Sequence, residues 1–235
     1  MKALVIASGG ADSTTCLAWT LSMFKEVEAI TFFYGQKHQI EVEQSKIICK
    51  KLRVKQTIVD LSFLPALVDS ALTSDGNVNM QHERMKELPA SWVPNRNGLF
   101  IVIAHAYAQK IGALRLVTGV CQTDFSGYLD CRDEFIKSIE KSLNLGSGAT
   151  ISIVTPLMWL TKVQTWKLAE ELGVLDIVTR ESHTCYNGDR KILHPWGYGC
   201  SVKIDDDIWE ECPACKLRRL SYLEFIEQKK IVKTE

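Results

Sequence analysis

No stretch of this 235-residue chain is apolar for the ~18 residues that a membrane-spanning helix needs. Neither sign of charge is in excess: Lys plus Arg and Asp plus Glu number 28 each, so the formal net charge is zero. That balance argues against a broad electrostatic footprint for nucleic acid. The GxxxxGK[ST] phosphate loop is missing, because no lysine follows the N-terminal glycines at the needed place. The N-terminus does not read as a secretory leader either: one lysine precedes a strand-length apolar run, and the glycines follow directly with no cleavage region. These absences predict a cytoplasmic protein that is neither membrane-spanning nor a kinase of the P-loop type.

The sequence does have enough apolar residues, 46%, to bury a sizeable core. Its length suits one α/β domain with a small appendage. The organising stretch is KALVIASGGADSTT, Lys2 to Thr15. Ala3 to Ala7 read as a buried strand, and the hydroxyl-rich run after the glycines opens a helix. Strand, tight turn and helix N-terminus together make an anion cradle, because the N–H groups of a helix's first turn have no partner inside the helix. Gly9 and Gly10 let the main chain approach a ligand. Ser8, Ser13, Thr14 and Thr15 add hydroxyls.

Strands and helices then alternate. VEAITFFY (Val27 to Tyr34), QTIVDL (Gln56 to Leu61), LRLVTGV (114–120) and ISIVT (151–155) read as strands. Helices are expected over 13–24, 38–52, from Asn97 as N-cap onward, over 132–144, and from Thr161 as N-cap to about Leu172. Leu17, Leu21 and Phe24 mark the packed face of the first helix. Leu99, Val102, Ile103 and Ala106 mark that of the third. The expected fold is α/β: a Rossmann-like, doubly wound parallel sheet of five strands. The region 62–92 lacks a clean period and reads as a long connection with one short helix near 63–71.

Parallel sheets bind ligands beyond their strand C-termini, so the turns there supply the site candidates. After the second strand these are Tyr34, Gln36 and His38. After the fourth they are Asp124, Phe125, Tyr128 and Asp130, a mixture of aromatic faces and carboxylates suited to a purine-like ring. A carboxylate can take two hydrogen bonds from a guanine-type N1–H and exocyclic amine. Asp130 also reads as an N-cap for the helix that follows. Arg96 stands just ahead of a helix start and could clamp phosphate or carboxylate. Lys162 sits at a helix start, which disfavours a cation. Such a broken local rule suggests a functional site.

Of eight cysteines, Cys185, Cys200, Cys212 and Cys215 crowd the last quarter of the chain, and C-x2-C spacing in a reducing compartment means metal more often than disulfide. The chain is therefore expected to divide into 1–178, carrying the sheet, and 179–235, a metal-binding segment with a terminal helix. Cys16 and Cys49 read as buried small hydrophobes.

SGGADS resembles the SGGxDS pyrophosphate loop of the N-type ATP pyrophosphatases. That likeness implies an enzyme that splits ATP to AMP and pyrophosphate. SGGADSTT, FYGQKH, VPNRN, GVCQTDFSGYLDCRDEF, TPLMWLTK, HTCYNG and CPACKLR, in that order, resemble the 7-cyano-7-deazaguanine synthase family of the queuosine pathway. The resemblance implies a ligase that adenylates 7-carboxy-7-deazaguanine, admits ammonia to form the amide, then adenylates the amide to leave a nitrile. It implies ATP, magnesium and zinc as cofactors, small-molecule substrates, no nucleic-acid or membrane partner, and a homodimer. It assigns the ATP contacts to Ala7, Ser8, Gly9, Gly10, Ala11, Asp12, Ser13, Thr14, Thr15, Cys16 and Leu17. Asp12, Ser13, Lys162 and Arg96 become the catalytic candidates. The zinc ligands become Cys185, Cys200, Cys212 and Cys215.

One departure concerns Cys200. Eleven residues, SVKIDDDIWEE, separate it from Cys212, where the family has two. Other readings remain at this stage: a tRNA-thiolating relative using Cys121 and Cys131, a relative joining a deazapurine to a macromolecule, or a zinc-ribbon nucleic-acid module using Lys216, Arg218 and Arg219.

Overall fold

The computed structural model of the chain describes residues 1–36, 39–68, 70–72, 80–81, 86–123, 128–205 and 208–232. His38, Asp124 and Phe125, named above as candidates, lie outside them.

Five parallel strands form the central sheet: β1 (Lys2–Ile6), β2 (Glu26–Phe33), β3 (Lys55–Asp60), β4 (Arg115–Val117) and β5 (Ser152–Val154). Their order across the sheet is β3-β2-β1-β4-β5. The chain winds outward from β1 to β3 and then returns to lay β4 on the other side of β1. A crevice therefore opens beyond the C-terminal ends of β1 and β4. β4 is shorter than the expected 114–120, and Thr118 to Val120 run on into that crevice.

Alternation along β1 sends Leu4 and Ile6 to one face and Val5 and Ala7 to the other. α1 (Ala11–Met23) and α2 (Ile40–Lys51) cover the Val5 face with Cys16, Leu17, Ile48 and Cys49. α3 (Arg96–Ile111) and α4 (Asp133–Ser147) cover the other. The packed face of α1 is Thr14, Leu17, Ala18 and Thr20, while Leu21 faces solvent. The packed face of α3 is Phe100, Ile101, Ala104, His105 and Ala108. Val102 is 44% exposed, which corrects the expected stripe. The aliphatic residues marked a plausible face, but the small alanines allow the closest approach to the sheet.

α3 is capped from elsewhere. Asn95, not Asn97, is its N-cap, in the left-handed region at φ 51°, and its side chain caps nothing. Asp130 supplies the missing acceptor: the Asn97 backbone N–H donates to it at 2.8 Å and the Asn97 amide at 3.1 Å. Asp130 therefore caps α3 across sequence and does not cap α4, whose N-cap is Arg132.

α5 (Lys162–Glu171) starts as expected, with Thr161 and Gln164 forming a reciprocal capping box. α6 (Leu175–Arg180) follows, so the boundary drawn at residue 178 falls within a helix. Two antiparallel hairpins come next, β6 (Ile192–His194) with β7 (Gly197–Gly199) and β8 (Val202–Lys203) with β9 (Trp209–Glu210). α7 (Pro213–Val232) ends the described chain. It packs on α5: Trp166 Nε1 donates to Ser221 Oγ at 3.0 Å, and Phe225 is fully buried among Val163, Trp166 and Ala169. Burying that phenylalanine is worth about 2–3 kcal/mol. In the 62–92 connection, the short helix is one 3-10 turn at Leu64–Ala66, and Leu72 and Leu88 are buried. No described helix is long and apolar enough to cross a membrane.

Candidate active site

A cavity of about 320 Å³ opens at the β1/β4 crevice and brings together residues from every part of the chain. One end is the loop after β1. Gly9 holds φ +91°, and a Cβ there would lie 2.2 Å from the Glu41 carbonyl, so α2 seats directly on the loop. Gly119, after β4, is close but less tight: its Cβ would stand 3.3 Å from Asp12 and Ser13 backbone atoms. The hydroxyls knit the turn. Gly10 N–H donates to Ser8 Oγ (3.3 Å), Ser8 Oγ to Ser13 Oγ (3.0 Å), and Ser13 Oγ to the Gly10 carbonyl (3.1 Å). What remains toward the cavity is the first-turn N–H set and the positive end of α1.

Asp12 and Lys162 face each other here, with Nζ to Oδ2 at 2.6 Å. The pair explains how Lys162 is tolerated at the start of α5: Asp12 compensates the unfavourable dipole. It also brings a cation to the cradle from the far side of the crevice.

The loop candidates divide. Ser8, Gly10, Ala11, Asp12, Ser13 and Thr15 line the cavity. Gly9 faces α2. Thr14 is buried with its hydroxyl donating to the Gly10 carbonyl at 2.7 Å. Ala7, Cys16 and Leu17 belong to the core under α1, and their side chains are packed away from the cavity. Helical and strand periodicity turns those three side chains inward, so a nucleotide would meet them only through their backbone.

The other end of the cavity is aromatic. Tyr34, Phe32, Phe100, Tyr128 and Tyr186 line it, together with Gln36, Glu41, Arg96 and Asn97. The Arg96 guanidinium lies 5.7 Å from the Tyr34 ring and 5.6 Å from that of Tyr128. It is the first residue of α3, not a loop residue ahead of it. Burial works against its charge, but Tyr34, Tyr128 and Asp130 outweigh that and hold it protonated. Burial likewise pushes the Tyr34 phenol up to about 12. Gln36 accepts the Tyr34 backbone N–H at 2.8 Å, fixing the turn after β2. Asp130 does not line the cavity. It stands behind it, holding the α3 N-terminus that carries Arg96.

Sequence reading missed Glu41 and Tyr186, and weighed Arg218 only among the basic residues of the C-terminal helix. Glu41 looked like an ordinary acidic residue in a helix's first turn. Its position just beyond a strand C-terminus was the one available signal. Burial pushes its carboxyl up to about 7, with Arg96 partly opposing. Arg218, on α7, is buried at the cavity wall. It donates to the carbonyls of Trp196 (2.5 Å) and Val178 (2.7 Å) and to the hydroxyls of Thr184 (2.6 Å) and Ser182 (3.0 Å). It ties α7 to α6 and to the hairpins.

Beside the cavity, the Sγ atoms of Cys185, Cys200, Cys212 and Cys215 all lie within 4.8 Å of one another. Tetrahedral thiolates around zinc stand ~3.8 Å apart, so the four fit that ion with a small contraction. The β8–β9 hairpin resolves the long gap before Cys212. It closes on itself, and the Cys212 N–H reaches Cys200 Sγ at 3.2 Å. Glu211 clamps the base, accepting from Ser201 Oγ at 2.7 Å and from Arg219 at 2.7 Å. Cys212 also precedes Pro213 at the start of α7. Hydrogen bonding with the Cys185 and Cys215 thiols, and from the backbone N–H groups of Cys215 and Tyr186, lowers the Cys212 thiol from its ordinary value. Gly199 is required here, since a Cβ would fall 2.6 Å from Cys215 Sγ.

Comparison with known proteins decides the family. The family model described as "Queuosine biosynthesis protein QueC" matches residues 2–226. The chain belongs to the QueC family. A 7-cyano-7-deazaguanine synthase of Wolinella succinogenes is 52% identical over 225 residues, covering 95% of this chain and 93% of its own. The synthase of the same name from Bacillus subtilis strain 168 is 48% identical over 229 residues, 97% of this chain and 96% of the relative. Among solved structures, a 4-thiouridine synthetase in complex with RNA and ATP aligns with TM-score 0.51 at 23% identity, over 75% of this chain and 42% of that one. That likeness supports the α/β fold of this QueC-family chain and nothing finer.

Proposed function

We propose that the protein is an ATP-dependent carbon–nitrogen ligase that makes 7-cyano-7-deazaguanine, the product for which its relatives are named, from 7-carboxy-7-deazaguanine and ammonia. The observation that carries this reading is one cavity joining the phosphate cradle to an aromatic end that bears Arg96. A carboxylate is a poor electrophile because its leaving group would be oxide. Its oxygen attacks the α-phosphorus of ATP, pyrophosphate leaves, and ammonia then displaces AMP to give the amide. The amide oxygen attacks a second ATP in the same way, and loss of AMP and a proton leaves the nitrile.

Both steps need the same help, which is positioning and charge neutralisation. Ser8, Gly10, Ser13 and the α1 N-terminus would receive pyrophosphate. Lys162 would neutralise it as it leaves, released from Asp12 when ATP enters. Asp12 would then be free for magnesium, which suits a site of one carboxylate plus substrate phosphates. When bound, that ion supplies further neutralisation. Tyr34, Gln36, Arg96 and Tyr128 would hold the deazapurine. Zinc held by the four cysteines leaves no open position and is structural in this reading. The division into 1–178 for chemistry and 179–235 as its zinc-stapled flank, the cytoplasmic location and the homodimer belong to the same proposal.

The test is incubation with ATP, magnesium, ammonium and 7-carboxy-7-deazaguanine, with AMP and nitrile followed by mass spectrometry. The expected result is AMP and nitrile together, both dependent on the acid and on ammonia. AMP that forms without the deazapurine acid would count against the proposal.

A further inference from the structure

At the aromatic end of the cavity the side chains leave hydrogen-bonding capacity unspent. Arg96 has five N–H donors. One of its hydrogen bonds is a long 3.4 Å contact to Tyr34 OH, and its Nε is buried without a partner. Glu41 lines the same space and accepts no hydrogen bond among the described residues. Glu41 is half-buried, and a ligand that displaces water from a carboxylate must itself supply the donors. A plain helix-start role is the obvious alternative, since acidic residues favour a first turn. Glu43, on the same turn, fills that role at the surface with Lys46 at 2.6 Å. Glu41 instead turns inward, and its backbone carbonyl is fixed against Gly9.

The ligand edge that would satisfy both groups can be read from this pairing. Resting on the function proposed above, we infer that Glu41 determines base specificity: its carboxylate accepts the ring N1–H and the 2-amino group of the deazapurine, while Arg96 donates to the adjacent 6-oxo oxygen. A guanine-type edge offers acceptor, donor, donor in that order. An adenine edge offers one donor beside a ring-nitrogen lone pair, which would face the second carboxylate oxygen unfavourably. Glu41 therefore separates the acid to be activated from the adenine of the ATP that activates it. The surrounding tyrosines and phenylalanines supply the ring faces and keep water out. Burial raises the Glu41 carboxyl, and two N–H donors would favour its ionised form, so substrate and ionisation support each other.

The experiment is a cycle between protein and ligand. Wild type and Glu41→Gln are each assayed with 7-carboxy-7-deazaguanine and with the analogue lacking the 2-amino group, with KM for ATP measured alongside. Wild type is expected to lose about 10- to 100-fold in kcat/KM on the analogue, the cost of unpairing a hydrogen bond to a charged group. Glu41→Gln is expected to lose a similar amount on the natural acid, to distinguish the two ligands by less than about threefold, and to keep its KM for ATP. Glu41→Asp, which keeps the carboxylate, should retain the discrimination at reduced kcat/KM. The analogue arm on wild type needs no variant to fold. Equal use of both ligands by wild type overturns the inference, as do additive losses in the cycle. A rise in KM for ATP alone overturns it too, and would assign Glu41 to the nucleotide. An absence of AMP with every acid, by contrast, removes the proposed function and this inference with it.

Discussion

At the scale of single residues, two charged side chains carry the proposed chemistry in different ways. Lys162 works by position: the start of α5 carries its ammonium to Asp12 at 2.6 Å, beside the cradle. Lys162→Ala should lower kcat by about 100-fold, the usual size of a lost charge-stabilising donor, with a smaller change in KM for ATP. Steady-state kinetics on the acid reads both. Glu41 works against stability in the free protein. Its folded carboxyl titrates at about 7, above the 4.5 ordinary for glutamate. The folded state therefore keeps a proton that the unfolded chain has lost, and stability falls as pH rises from about 4.5 through 7. Without ligand, Glu41→Gln should melt above wild type at pH 8, and the difference should shrink toward zero below pH 4.5. Thermal melts across that range check the sign. A variant less stable than wild type at pH 8 would show that Glu41 has a partner holding it ionised. The sequence offered Lys162 through a broken dipole rule, whereas Glu41 obeyed every local rule and so passed unnoticed.

At the scale of elements, the site depends on close approaches that no single segment announces. Gly9 brings the loop onto α2, and an alanine there meets both a positive φ and the Glu41 carbonyl. Gly9→Ala should cost about 1–3 kcal/mol from backbone strain alone, with the clash in addition. A lower Tm and loss of AMP formation are expected together. Asp130 makes the α3 N-terminus, and with it Arg96, dependent on a residue more than thirty positions away. Asp130→Ala should cost about 1–2 kcal/mol, as loss of a helix cap does. It should also raise KM for the deazapurine acid more than for ATP. Continuous apolar and β-branched runs made the strands legible, and Thr161 made the α5 start legible. The packed face of α3 and the target of Asp130 were not, because both are set by what lies opposite in space: the sheet for the alanines, a helix end for the carboxylate.

At the scale of the whole molecule, the sheet order and the cysteine cluster solve separate problems. The return from β3 to β4 creates the crevice, and the segment after α6 builds its remaining wall. That wall has little apolar periodicity of its own. Arg218, the Glu211–Arg219 pair and the four thiols hold it in place. Cys215→Ser should therefore lose bound metal and solubility together. Metal content by mass spectrometry and the soluble fraction check it. Full folding with no metal in the purified variant would contradict the staple. The cysteine pattern was plain in the sequence, and the hairpin that rejoins Cys200 to Cys212 explains how eleven intervening residues leave the cluster intact. The central claim is that one cradle serves two successive adenylations, and oxygen labelling tests it most directly. With both carboxylate oxygens of 7-carboxy-7-deazaguanine replaced by oxygen-18, each nitrile formed should be accompanied by two AMP molecules, each carrying one labelled oxygen, and by unlabelled pyrophosphate. A single labelled AMP per nitrile, or label appearing in inorganic phosphate, would contradict it.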